Sequence, residues 1–531
     1  MNLRNSLQKF TSPSWREGGM LAAFAVLGGL MSLLSGQDVS PEPFRHNLYP
    51  AYALLSGRMG IDVVAAGAGP SVSPLLFIPY YLVFVTLNAW PTLSLFLRGI
   101  PYGLLMFLVW KIAKAVFRTE GEKFFRWAVT ILAVTGYAAV SQIGRGNGSL
   151  WLAVLGVWAC YLCFCSQRKN AVAAAFFVAS FGAGLDISAL PVLAGLAVSL
   201  PLVRPKEKSG WLKILGCTVL GFLISASVTA WYTWRVTGGL ESFWLALWPK
   251  GWAFAASPFV VKWEMPLFWK EWLLLPFLRT EHSLAGYLLD PRLAGGVIGA
   301  LILIAKRFFG APSERIREEL VWCLFFVGAY VCWLVGFRDE FSSVILEVVS
   351  MLLLGRVLLW VAGARWGVLC LASWMFVFPP SFSDSRQAPE GVNFSFFNEA
   401  VLTENPLVLL GGHLSGVAPF LPQQARFVGG IWFDPADYDP AKQFFLHRLN
   451  PLPRGYYSHR FDDQIRAAVR GHSGDIYALF DNEDPSSENT VWRRYGVELA
   501  EPVEKCQTLY SGMDIWPKGL LLCRMKKTTK K

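Results

Sequence analysis

Long apolar runs separated by short polar ones fill the first 380 residues, and most approach the roughly 20 residues that a helix needs to cross a bilayer. Windows near 18–35, 98–117, 127–142, 149–166, 170–185, 188–203, 212–233, 292–306, 319–337, 343–361 and 366–380 predict eleven spans. From about residue 381 the pattern changes to short apolar runs between polar, helix-like stretches. "NPLVLLGG", "ARFVGG", "GDIYALFD" and "GLLLCRM" predict strands, whereas "FDDQIRAAVRGH" and "TVWRRYG" predict helices. The expected fold is mainly α, with a polytopic helical membrane domain over 1–380 and a small C-terminal α/β domain over 381–531. About 150 residues suffice for that second domain to bury its own core.

Composition agrees with a membrane body: 54% hydrophobic, 15% aromatic and 16% charged residues, with a mean hydropathy of +0.41. The formal charge of +11 would suit a nucleic-acid partner. However, the Lys and Arg residues cluster between apolar runs, where they act as topology signals, so no nucleic acid is expected. A cytoplasmic N-terminus puts "KAVFRTEGEKFFR", "SQRKN", "RPKEKSG" and "KRFFGAPSERIREE" inside. That walk works only if residues 74–90, "PLLFIPYYLVFVTLNAW", form a re-entrant or interfacial helix. Residues 36–97 then make one large outer loop, and the tail also lies outside. The first apolar run is followed by "SGQDVSPEPF", without an A-x-A-like site, and is expected to stay as an anchor.

The polar features that share the outer side carry the candidate chemistry. "SGQDVSPEPFRHNLYPAYALLSGR" gathers Asp38, Glu42, Arg45, His46, Tyr49 and Arg58 just past the first span. Pro41 and Pro43 exclude a regular helix between Asp38 and Glu42. After them Leu48, Tyr52 and Leu55 form an apolar stripe, as in a helix lying on a membrane. A carboxylate at headgroup depth can be tuned as a general base by burial and by nearby arginines. Arg98, Arg145 and Arg338 fall at outer edges too, and with Arg45 and Arg58 they would form a cradle for phosphate oxygens. Glu347 and Asp186 are the ionisable exceptions inside apolar windows. Seven of the nine cysteines lie in or beside apolar runs and read as small buried hydrophobes. Cys506 and Cys523 are in the tail, where two readings stay open: a disulfide between neighbouring strands, or two buried thiols. "LLGGHLSG" lacks the lysine of a nucleotide-binding loop.

The order of one span, a large loop with an early Asp, "AYALLSGR", "SPLLFIPYYLVF" and a span opening "LFLRGIPYGLL" resembles the GT-C superfamily of polytopic glycosyltransferases. It is most similar to an uncharacterised bacterial branch whose loop reads like "QDVNYHxYNxxALLxGR". Two departures are "SPEPFR", where the branch is shorter, and Phe77 and Ile78, where the branch has Leu and Asp. The resemblance implies transfer of a sugar from a polyprenyl-phosphate carrier to an acceptor hydroxyl, on the periplasmic face of a bacterial inner membrane. It implies Asp38 as the base in an inverting displacement, with His46 and Tyr49 at polar positions of the branch pattern. Arginines such as Arg98, Arg145 or Arg338 would steady the leaving phosphate. Asp38, Asp62, Asp339 and Glu340 leave room for a divalent metal, but no ligand spacing requires one. The alternatives are a lipid or glycan transporter or flippase, disfavoured by the absence of an internal repeat, and a non-catalytic membrane scaffold.

Overall fold

The computed structural model describes residues 15–38, 47–63, 73–118, 122–146, 148–168, 170–203, 210–237, 240, 278–279, 288–289, 292–309, 314–335, 340–377, 386–387, 394, 397, 399–411, 414–429, 456–481, 489, 492–509 and 519–528. Helix α1 (Trp15–Ser35) leads into strand β1 (Gln37–Asp38). Between β1 and Pro91 lie α2 (Leu48–Leu55) and α3 (Pro74–Thr86). Next come α4 (Pro91–Arg98), α5 (Ile100–Val116), α6 (Lys123–Val134), α7 (Tyr137–Ser141) and α8 (Ser149–Cys160), which runs on as a π turn through Cys165. Then follow α9 (Ala171–Leu185), α10 (Leu190–Val203), α11 (Gly210–Thr237), the two-residue strands β2 (Leu278–Arg279) and β3 (Leu288–Leu289), α12 (Arg292–Phe309), α13 (Glu314–Val335), α14 (Glu340–Val361) and α15 (Gly363–Val377).

Every apolar window coincides with helix. Four helical stretches among the described residues are individually long and apolar enough to cross a membrane: Glu17–Ser35, Pro91–Val116, Gly210–Val236 and Ser343–Val361. The predicted window at 127–142 is broken in two at Thr135–Gly136. Glu347 of α14 fills that break, accepting a hydrogen bond from the Ala138 amide at 3.4 Å. Arg292 also reaches the break and donates to the carbonyls of Leu132 and Thr135, each at 3.2 Å. Asp186 caps a short 3₁₀ turn through the Ser188 amide at 2.9 Å. The buried Glu347 and the half-buried Asp186 thus complete helix ends whose backbone groups would otherwise lack partners.

α1 and α5 cross backbone to backbone. A Cβ on Gly28 would lie 2.4 Å from the Gly103 nitrogen, and one on Gly103 would lie 2.2 Å from the Phe24 carbonyl oxygen. Small residues allow such an approach without side-chain intervention. Ser32 of α1 also donates to the Leu95 carbonyl of α4 at 2.8 Å. The crossing fixes the C-terminal end of α1, and hence Asp38, beside Arg98.

After β4 (Arg386–Gln387), which pairs antiparallel with β1, the tail folds around one sheet. Its strands are β5 (Leu407–Leu410), β6 (Arg426–Gly429), β7 (Ile476–Asp481), β8 (Val497–Leu499), β9 (Gln507–Leu509) and β10 (Leu520–Lys527), with helix α16 (Tyr456–Gly471) between β6 and β7. The order is β6-β5-β7-β10-β8, with β9 also on β10. β5 is parallel to both neighbours, and β10 is antiparallel to its three. Because side chains alternate along a strand, Leu407 and Leu409 face α16 through Ile465 and Val469. Val408 and Leu410 face the opposite way, into a cluster with Tyr49 and Tyr52 of α2 and Phe77 and Phe84 of α3. This explains why β5 is apolar at all four positions. The α/β domain predicted over 381–531 is therefore completed on one face by α2 and α3. α3, predicted as re-entrant or interfacial, is buried against the sheet side of the molecule.

Cys506 and Cys523 are disulfide-bonded, across 17 residues of chain. In the loop-entropy account a closure of that size is worth about 3 kcal/mol. Cys506→Ser with Cys523→Ser is expected to lower the domain's stability by roughly that amount, read as the denaturant midpoint relative to the oxidised wild type. Equal midpoints would show that the bond adds nothing to stability.

Candidate active site

α1 stops at Ser35, where its hydroxyl turns back to the Met31 carbonyl at 2.8 Å. Gly36, at φ +79°, swings the chain away in a conformation that suits glycine. Gln37 and Asp38 are then held extended by pairing with Gln387 and Arg386. The Asp38 carboxylate is 2% exposed and lies 3.3 Å from Nε of Arg145. Arg145 comes from the loop between α7 and α8, "QIGRGNGS". Gly144 and Gly148 there have φ of +69° and +72°. A Cβ on Gly146 would lie 2.0 Å from Cζ of Tyr80. Only a residue without a side chain lets this loop sit flush against α3 and carry Arg145 to the end of α1.

Arg98 completes the group from the last turn of α4. Its Nη2 donates to the Gln37 side-chain oxygen. Its Nη1 donates to the Gly144 carbonyl at 3.4 Å and its Nε to the Ser94 carbonyl at 3.3 Å. The guanidinium also stands 5.4 Å from the ring centres of both Tyr80 and Phe84, within cation–π range. Gln37 in turn donates to the Asp38 carbonyl at 2.9 Å. A cavity of about 70 Å³ opens between Tyr80, Arg98, Arg145 and Trp151. Among the described residues the site sets two guanidiniums beside one carboxylate in a buried setting. Such a donor set suits an anion with planar or tetrahedral oxygens.

The structure thus brings together Asp38, Arg98 and Arg145. It takes Tyr49 and Arg58 elsewhere. Arg58 pairs with Asp62 through Nε at 2.8 Å and Nη2 at 2.6 Å, and it also donates to the carbonyls of Gln423, at 2.7 Å, and Ala425. Tyr49 donates to Asp62 at 2.9 Å, and burial, with Asp62 adding to it, pushes its phenol well above the usual range, so the donor stays protonated. Asp62 also accepts from the Phe427 amide at 2.9 Å. Val63 continues the contact by bridging parallel to Val428 on the sheet edge. With these partners Arg58 is a clamp between loop and sheet, and its hydrogen-bonding capacity is largely used there rather than at the Asp38 group. Arg45, His46, Arg338 and Asp339 lie outside the described residues, as does Glu42. Among the described residues no three His, Cys, Asp or Glu side chains converge as metal ligands, and Asp62 is turned to Arg58 rather than to Asp38.

Gln37, Tyr80 and Asp62 were not singled out for these roles by the sequence pattern. Asp62 alone left a local signal, its spacing of four from Arg58. Gln37 and Tyr80 gain their roles from elements distant in the chain.

No protein-family model matches the chain, and no curated protein does. Among solved structures it is similar to ArnT from Cupriavidus metallidurans in the apo state, at a TM-score of 0.41 and 12% identity over 96% of this chain and 98% of that one. It is also similar to ArnT from Cupriavidus metallidurans bound to undecaprenyl phosphate, at a TM-score of 0.41 and 14% identity over 95% and 97%.

Proposed function

We propose that this chain is a polytopic membrane glycosyltransferase of the GT-C type, moving a sugar from a polyprenyl-phosphate carrier to an acceptor hydroxyl with Asp38 as general base. The observation that carries the reading is the buried Asp38–Arg145 pair at 3.3 Å with Arg98 held alongside. The loop order that resembles the superfamily supports it independently. Eleven spans, with the N-terminus cytoplasmic and the sheet domain periplasmic, follow from the charge pattern of the loops. The Cys506–Cys523 bond supports that side, since structural disulfides persist in oxidising compartments.

The same pair suggests how the base is controlled. In the resting site the Asp38 carboxylate faces the Arg145 guanidinium. An arriving phosphodiester competes for Arg145 and Arg98, since both present N–H donors suited to phosphate oxygens. Drawing Arg145 toward the phosphate relaxes its hold on Asp38, which then takes the acceptor proton as the oxygen attacks the anomeric carbon. The sugar–phosphate bond breaks on the opposite side of that carbon, which is inverted, and the two arginines stabilise the charge gathering on the departing lipid phosphate. Donor binding thereby frees the carboxylate to face the acceptor.

Arg145→Gln tests the leaving-group half of this scheme. Transfer of radiolabelled sugar from polyprenyl phosphate, measured in membranes across a panel of donor sugars, is expected to fall about 10²–10³-fold, the usual cost of removing one oxyanion donor. A wild type inactive with every donor would count against the transferase reading and favour a transporter or a scaffold.

A further inference from the structure

A second cavity among the described residues lies away from the Asp38 group. It measures about 840 Å³ and lies at the other end of the helical body. Two helices establish the separation. Pro101 at the start of α5 lines the small cavity near Asp38, whereas Ala115 and Val116 near its end line the large one. Leu150 and Trp151 in α8 and Cys163 and Phe164 in the π turn repeat the relation. At 1.5 Å per residue the two sites are roughly 20–25 Å apart.

Charged and apolar side chains together line the large cavity. Arg118, Arg168, Lys213, Arg317 and Arg356 line it. They face two carboxylates, both already engaged: Glu318 with Arg118 at 2.8 Å and Glu319 with Lys306 at 3.0 Å. Arg356 is only 8% exposed and stands 5.3 Å from the centre of the Phe117 ring. Phe164, Ile214, Leu303 and Trp322 line it as well. Lys213 belongs to the first turn of α11, and on that helix Leu212, Leu215 and Leu220 are exposed at 75%, 60% and 53%. An apolar track therefore leads away from the cationic mouth along the outside of the bundle. The volume is within the range of ordinary ligand sites.

We infer that this cavity is a second binding site, separate from the Asp38 group, for a ligand bearing an anionic phosphate. The cations hold the phosphate and the α11 track suits an acyl or isoprenoid tail. The same head-group chemistry is presented by an anionic phospholipid and by a soluble phosphate. The site does not depend on the transferase reading, since it shares no residue with the Asp38 group.

Native mass spectrometry of the purified full chain tests this with phosphatidylglycerol, phosphatidylcholine and inorganic phosphate as probes. Wild type is expected to retain phosphatidylglycerol at least about tenfold better than phosphatidylcholine. Arg168→Gln with Lys213→Gln is expected to lower that retention by about tenfold or more, the scale of losing charge-assisted hydrogen bonds. Arg307→Gln, which removes a cation from the end of α12 without touching the cavity, is expected to bind as wild type does. Melting curves confirm that each variant is folded. Binding of inorganic phosphate, but not lipid, that is lost in the double variant would support the site and assign it to a soluble phosphate. Retention that is the same for both lipids and in all variants, without phosphate binding, overturns the inference. So does an Arg307→Gln effect as large as that of the double variant.

Discussion

Asp62→Ala is expected to loosen the C-terminal sheet from the outer loop, at a cost of about 3–5 kcal/mol, the range for removing one partner of a buried ion pair. The side chains of Arg58 and Asp62 are 10% and 0% exposed. Removing the carboxylate leaves the Arg58 guanidinium buried without its counter-charge and takes the acceptor from both Tyr49 and the Phe427 amide. The damage falls on a contact built from both ends of the chain: Arg58 reaches Gln423, and Val63 hydrogen-bonds with Phe427 and Gly429. Limited proteolysis and thermal melting of the purified chain read this out, with earlier cleavage of the tail and a lower midpoint expected. Arg58→Met combined with Asp62→Leu is expected to recover much of the loss, because replacing both charges by apolar groups removes the unpaired ion. If Asp62→Ala melts and resists protease like wild type, the clamp contributes nothing.

The helices were legible because their signal is local. A run of apolar residues near 20 long has few other solutions, and all eleven windows became helix. The break at Thr135–Gly136 was not legible, because the groups that fill it, Arg292 and Glu347, are supplied by α12 and α14. In the tail the strands showed as short apolar runs. The four buried positions of β5 signalled a sheet covered on both faces, but not that α2 and α3 supply one cover. β1 and β4, two residues each, are too short to leave any periodicity, yet they set the backbone direction at Asp38. The arginines show the same limit at the site. Sequence gathered Arg45, Arg58, Arg98, Arg145 and Arg338 into one class, since each lies at an outer edge. The division between Arg98 and Arg145 at Asp38 and Arg58 at Asp62 depends on contacts spanning up to 367 residues. Asp38 itself stood out because it belongs to a cluster of titratable groups directly after an apolar run and falls at the acidic position of the pattern the loop resembles.

Asp38→Asn has the largest expected effect on activity. The substitution preserves size and the extended pairing with Arg386, so the loop and Gly36 turn keep their geometry. It removes the only proton acceptor that the described site places beside Arg145 and Arg98, and a positioned base is worth about 10²–10⁴ in rate. The amide also leaves Arg145 without its carboxylate, so donor binding is expected to persist or tighten while the chemical step fails. That separation of binding from turnover distinguishes a base from a structural anchor, whose loss would lower both together. The decisive measurement is single-turnover transfer of radiolabelled sugar from polyprenyl phosphate by purified wild type and Asp38→Asn, with donor binding measured on the same samples. The account predicts retained donor binding with transfer reduced at least about 10²-fold; equal transfer rates in the two proteins would contradict it.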